Sequence, residues 1–177
     1  MDEDLHELAV TAVGADRPGI VAAVAEVLHD AGGNVEDSAM TILGGHFAIV
    51  LLVSSPAAAD ELRTSLAPVA DRLGLTVSVS GAAGAASPAE ATHLLSVYGA
   101  DRPGILAGIT RALAAEGANI TDLETRVLAA STEPVYAMVV ELVVGEGGEG
   151  ALAAALDEAC ATLGVDHTLR TIEAETY

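Results

Sequence analysis

The sequence contains no lysine and no tryptophan, one phenylalanine, three tyrosines and one cysteine. Each shortage removes a class of function. Seven arginines against 26 acidic residues leave a formal net charge of −19. Nucleic-acid binders neutralise phosphates with Lys and Arg, and this chain would repel a duplex. The same balance disfavours an anionic membrane surface. The longest strongly apolar run, Phe47 to Val53, is too short to span a bilayer. Phe47, Tyr98 and Tyr136 are too few and too scattered for base stacking. A lone Cys160 excludes a disulfide framework and falls on the apolar side of the last predicted helix. His6, His29, His46, His93 and His167 lack metal-ligand spacing, so no metal is expected. No cofactor motif is present: the glycine-rich run Gly145–Gly150 lacks the Lys-Ser/Thr of a phosphate loop. No carboxylate pair is placed in a pocket by its spacing, so no catalytic residue is assigned and no enzymatic activity is expected. The acidic start, Met1-Asp2-Glu3-Asp4, has no signal-peptide pattern. The expectation is a cytoplasmic protein whose partners are a small molecule or another protein.

What the chain does contain is a repetition. Gly14-Ala15-Asp16-Arg17-Pro18-Gly19-Ile20 returns unchanged as Gly99-Ala100-Asp101-Arg102-Pro103-Gly104-Ile105, an offset of 85 residues. At the same offset Leu28 meets Leu113, Gly32 meets Gly117, Asn34 meets Asn119 and Asp37 meets Asp122. One fold unit has been copied. The predicted domains are residues 1–80 and 92–177, joined by a small, polar, flexible linker over 81–91. With 51% hydrophobic residues and 2% aromatics, each core is built from Val, Leu, Ile and Ala.

The patterning gives the same order of elements in each copy. Leu5–Val13 is a strand. A helix then starts with Pro18 at its first position and carries Ile20, Val24, Val27, Leu28 and Ala31 on one face. Gly32-Gly33 stops it. Asn34–Leu43 and His46–Ser54 are strands around a Gly44-Gly45 hairpin. Pro56 opens a second helix that ends at Gly74, and Leu75–Ser80 is the fourth strand. The second copy reads as strand Thr92–Tyr98, helix Pro103–Ala115, strand Asn119–Ala129, a hairpin longer by four residues (Ala130–Glu133), strand Pro134–Val144, helix Gly150–Leu163 and strand Val165–Thr171. Each half is therefore βαββαβ, an α+β ferredoxin-like fold: a four-stranded antiparallel sheet with two helices on one face.

The Asp-Arg-Pro-Gly-Ile loop after the first strand, the apolar helix, and the Gly-x-Asn that heads the second strand resemble the ACT domain, a regulatory βαββαβ module that binds amino acids. The spacing of 15 residues from Gly19 to Asn34 and from Gly104 to Asn119 strengthens the likeness, which covers nearly the whole chain as two copies. Asn34-Val35-Glu36-Asp37-Ser38, Gly45-His46-Phe47 and Pro134-Val135-Tyr136 are similar to stand-alone tandem members of the family. The resemblance implies a ligand held between two ACT domains, touching the loop of one and the Asn of the other. The implied ligand-binding residues are Asp16, Pro18, Gly19, Ile20 and Asn34, with Asp101, Pro103, Gly104, Ile105 and Asn119. Free amides at a helix start suit a carboxylate, Asn offers a donor and an acceptor, and Asp16 and Asp101 suit an ammonium. The serine-regulated dehydrogenase version has an Asn at the loop position and a His two residues earlier. Asp16 and Gly14 stand there in this chain, so serine specificity does not transfer. A second reading makes Asp16 and Asp101 helix caps, and Asn34 and Asn119 turn residues.

The expected function is a non-enzymatic sensor of a small amino acid that regulates transcription or amino-acid metabolism through a partner protein, a regulator or an enzyme. The two units are expected to pair through their second strands, and a homodimer is compatible with this. The alternative is a ligand-free dimerisation or interaction module.

Overall fold

The computed structural model describes residues 5–82, 89–128 and 134–172. The chain divides into two units, with the boundary between residues 86 and 87. The first comprises β1 (His6–Ala15), α1 (Ile20–Asp30), β2 (Asn34–Leu43), β3 (His46–Ser55), α2 (Ala59–Leu73) and β4 (Leu75–Gly81). The second comprises β5 (His93–Ala100), α3 (Ile105–Ala115), β6 (Asn119–Leu128), β7 (Val135–Val143), α4 (Glu149–Leu163) and β8 (Val165–Thr171). Each unit is the expected βαββαβ, with sheet orders β2-β3-β1-β4 and β6-β7-β5-β8 and every pairing antiparallel. Most of the expected linker and all of the longer second hairpin, Ala130–Glu133, lie outside the described residues.

Alternation decides which strand face is buried. Val10 and Ala12 of β1 and Phe47, Ile49 and Val53 of β3 point into a core closed by Ile20, Val24 and Leu28 of α1 and Leu62 and Leu66 of α2. Val97, Met138, Val140, Ile109, Leu113, Leu152 and Leu156 repeat the arrangement in the second unit. Burying each such side chain contributes about 1.5–3 kcal/mol, and small aliphatic side chains let helix and sheet approach closely. The second strand lies at an edge in both units, and its apolar residues stay open: Met40 is 51% exposed and Leu43 76%.

Three expected helix starts are corrected. Pro56 does not open α2. The helix begins at Ala59, capped by Ala58, whose amide donates to Glu61 Oε2 at 3.1 Å. The helix after β1 starts at Ile20 and its counterpart at Ile105, so neither Pro18 nor Pro103 occupies a first helical position.

The first glycine of the repeated heptad is a packing requirement. A Cβ on Gly14 would lie 2.7 Å from Leu75 Cδ2 and 2.9 Å from the Gly74 carbonyl oxygen. A Cβ on Gly99 would lie 2.8 Å from Val165 Cγ1 and 3.2 Å from the Val165 backbone. The last strand of each unit runs over this glycine, where the chain leaves the preceding helix. Gly14→Ala and Gly99→Ala are expected to lower stability by about 1–3 kcal/mol each, the cost of overpacking. Urea denaturation measures this directly.

Candidate functional site

The loop after β1 is built by a turn. Gly19 has φ 88° and ψ 0°, and Gly104 φ 95° and ψ −5°. Those angles belong to the second central position of a type II turn, with proline, its φ fixed, at the first. The Pro-Gly pair therefore makes a turn outside the helix, because no helical residue adopts φ near +90°. The Asp16 amide donates to the Gly45 carbonyl at 2.9 Å and the Asp101 amide to the Pro134 carbonyl at 3.2 Å, which ties the loop to the start of β3 or β7.

The first intrahelical acceptors are the glycine carbonyls, at 3.0 Å from the Ala23 amide and 2.8 Å from the Gly108 amide. The amides of Ile20, Val21 and Ala22, and those of Ile105, Leu106 and Ala107, thus have no partner within their helices. The side chains of Ile20 and Ile105 are buried in the cores, so only their backbone is open to a ligand. Neither α1 nor α3 has a side-chain cap. The capping reading of Asp16 and Asp101 is thereby overturned: each helix is capped by its glycine, and both carboxylates stand exposed.

Asn34 and Asn119 head β2 and β6 and are exposed. Register places them far from the loop of their own unit. Ala15 pairs with His46 at one end of β3, whereas Asn34 pairs with Ser54 at the other. In the second unit Ala100 pairs with Val135 and Asn119 with Val143. Eight strand residues separate the two ends, roughly 27 Å. The structure therefore does not bring Asp16–Ile20 and Asn34 of one unit together, nor Asp101–Ile105 and Asn119. One unit alone therefore cannot present its loop and its Asn to the same small molecule.

Two features were not visible in the residues. A β-bulge follows each Asn, between Val35 and Asp37 and between Ile120 and Asp122, so the extra residue is Glu36 in one copy and Thr121 in the other. Bulges re-aim neighbouring side chains, and the shared position is a property of the fold unit. His93, where the first copy has Leu8, is buried at 7% exposure. Its Nδ1 lies 2.8 Å from Thr92 Oγ1 and its Nε2 lies 3.8 Å from Glu149 Oε2. Cys160 is buried in the second core, as its helical position predicts. Burial chiefly, then Asp157 and Asp166, pushes its thiol up from the ordinary range. Among the described residues no three His, Cys, Asp or Glu side chains cluster to hold a metal. No helix there is long and apolar enough to cross a membrane.

These two units are copies of a known module. The ACT domain family models match residues 6–80 and 93–161, and the chain belongs to the ACT domain family, with two domains in tandem. It is 34% identical over 130 residues to the glycine cleavage system transcriptional repressor of Escherichia coli strain K12, covering 72% of this chain and 68% of that one. A UPF0237 protein of Methanopyrus kandleri is 41% identical over 73 residues, 40% of this chain and 81% of the relative. Among solved structures, a protein of unknown function from Galdieria sulphuraria aligns with TM-score 0.82 at 31% identity, over 96% of this chain and all of that one.

Gly19→Ala and Gly104→Ala place a Cβ in open space, so only the left-handed backbone resists them. Each is expected to cost about 1–2 kcal/mol by denaturant titration. Cys160, buried and with its thiol held neutral, is expected to react with a disulfide reagent at pH 8 at least about 100-fold more slowly in the folded protein than in urea, followed by absorbance.

Proposed function

We propose that the protein is a non-enzymatic regulator whose ACT domains bind a small amino acid, and that binding alters its engagement of a partner protein. The observation that carries this reading is the paired loop. In both copies the same five residues turn a helix start outward, leave its amides unpaired and present an uncapped aspartate beside them. Such a surface complements a zwitterion, with the carboxylate on the amides at the positive helix end and the ammonium near Asp16 or Asp101. Asn34 or Asn119, supplied by another ACT domain, completes the contact. The ligand-binding set is accordingly Asp16, Pro18, Gly19, Ile20 and Asn34 with Asp101, Pro103, Gly104, Ile105 and Asn119, on domains taken as residues 1–80 and 92–177.

The regulated process is transcription or amino-acid metabolism. The Escherichia coli relative is a transcriptional repressor by name, and its similarity supports this. A chain of net charge −19 repels nucleic acid, so regulation runs through a regulator protein or an enzyme in the cytoplasm. The second reading, a ligand-free interaction module, draws on the open apolar edge of β2.

Thermal shift with each of the twenty amino acids separates the two readings. At 100 times its Kd a ligand adds about 2.7 kcal/mol of stability, a rise of several degrees in Tm. We expect at least one amino acid to give it, and Asn34→Ala with Asn119→Ala to abolish it. An unchanged response in the double variant sinks the site. A wild type that responds to none of the twenty leaves the interaction module standing.

A further inference from the structure

The sheet face turned away from the helices differs in chemistry between the two units. Side chains alternate along a strand, and residues paired across strands share a face. Leu8, Val10 and Ala12 point into the first core, so Ala9, Thr11 and Val13 point outward. Register carries the outer face onto Ala48, Val50 and Leu52 of β3, with Thr76, Ser78 and Ser80 of β4 on one side. On the other side it reaches Asp37, Ala39 and Thr41 of β2. Asp37 is the single charge in these three cross-strand rows. The matching rows of the second unit carry Asp122, Glu124, Arg126, Glu141, Asp166 and Arg170, and Arg126 pairs with Glu124 there at 3.6 Å.

Folding of the unit does not demand this difference, because neither face belongs to a core. Val13 is 48% and Val50 47% exposed. In a chain with 26 acidic residues a solvated face is expected to look like that of the second unit. An apolar centre on β1 and β3, rimmed by hydroxyls and nearly free of charge, has the composition of a contact surface.

Charge and area together select the occupant. Two copies of net charge −19 repel unless they meet where neither is charged. The outer face of the first unit is such a place, and it is self-complementary as a two-fold axis requires: apolar centre on apolar centre, hydroxyl rim on hydroxyl rim. Its small side chains suit the spacing of about 10 Å between stacked sheets. Four strands over the stretch from His46 to Leu52 cover roughly 19 Å by 24 Å, about 450 Å² on each copy. The total of about 900 Å² falls below the roughly 1,200–2,000 Å² of stable complexes, so the contact is weak and reversible.

We propose that two copies of the chain associate face to face through the outer sheet surfaces of their first units, while the charged surfaces of the second units stay in water. This contact is distinct from strand pairing at the β2 edge and does not depend on the ligand reading.

Sedimentation velocity on the full chain between about 1 and 500 µM is expected to show a monomer–dimer equilibrium with a Kd of about 10–100 µM. Val50→Glu puts an unpaired charge into the dry centre and is expected to weaken association at least about tenfold. Val13→Glu repeats the test on the neighbouring strand should circular dichroism show that Val50→Glu does not fold. Val139→Glu and Tyr98→Glu, at the matching places of the second unit, are expected to keep Kd within about twofold. A wild type that stays monomeric overturns the proposal and leaves the face to a different protein. Undiminished dimerisation in a folded Val50→Glu or Val13→Glu variant overturns it in favour of the β2 edge. An equal loss in Val139→Glu overturns the assignment to the first unit.

Discussion

Each unit depends on one backbone conformation: a glycine at φ near +90° directly after a proline. It reverses the chain between β1 and α1 in four residues and sends Ile20 straight into the core. Because the turn and not a side chain caps the helix, Asp16 is left unengaged and the first amides face outward. The same geometry recurs at Gly104 within a few degrees. A second glycine, five residues earlier, lets the last strand cross against β1 at a distance no Cβ permits. The heptad is thus two backbone constraints around a chemically open Asp-Arg pair.

The duplication serves as an internal comparison. Where the copies agree, the agreement traces to the fold: the turn, the close strand, the bulge after Asn. Where they differ, the differences fall beside those shared elements. Leu8 becomes His93, Glu36 becomes Thr121, and Arg72 becomes Thr162.

The strands and helices were legible because their periods are clean. Asn34–Leu43 and Val165–Thr171 appear with the bounds read from the residues. Pro18, Pro56 and Pro103 misled, since proline fits the first position of a helix as well as the first central position of a turn. What separates the two is the φ of the following residue, which Gly19 hides because glycine accepts either sign. The loop residues of the candidate site were legible as a surface. The roughly 27 Å between loop and Asn in one unit was not readable from their spacing of 15 residues, because distance within a unit depends on strand direction. The nearness of the Arg102 guanidinium to Gly164 was illegible for the same kind of reason, because 62 residues separate them.

Strand direction also constrains any mechanism built on this site. On the proposed reading, a ligand small enough to be an amino acid cannot touch loop and Asn of one unit, so it must join two. Its binding free energy then appears as association free energy, and by linkage anything that favours association tightens the ligand. Acidic surfaces in a chain of net charge −19 oppose close approach, a repulsion screened over about 10 Å at 0.1 M salt. Association held near balance in this way responds to the 1–3 kcal/mol typical of allosteric coupling, about 5- to 150-fold in population. The acidity that disfavours nucleic acid as a direct partner is, on this view, also what makes a small ligand decisive.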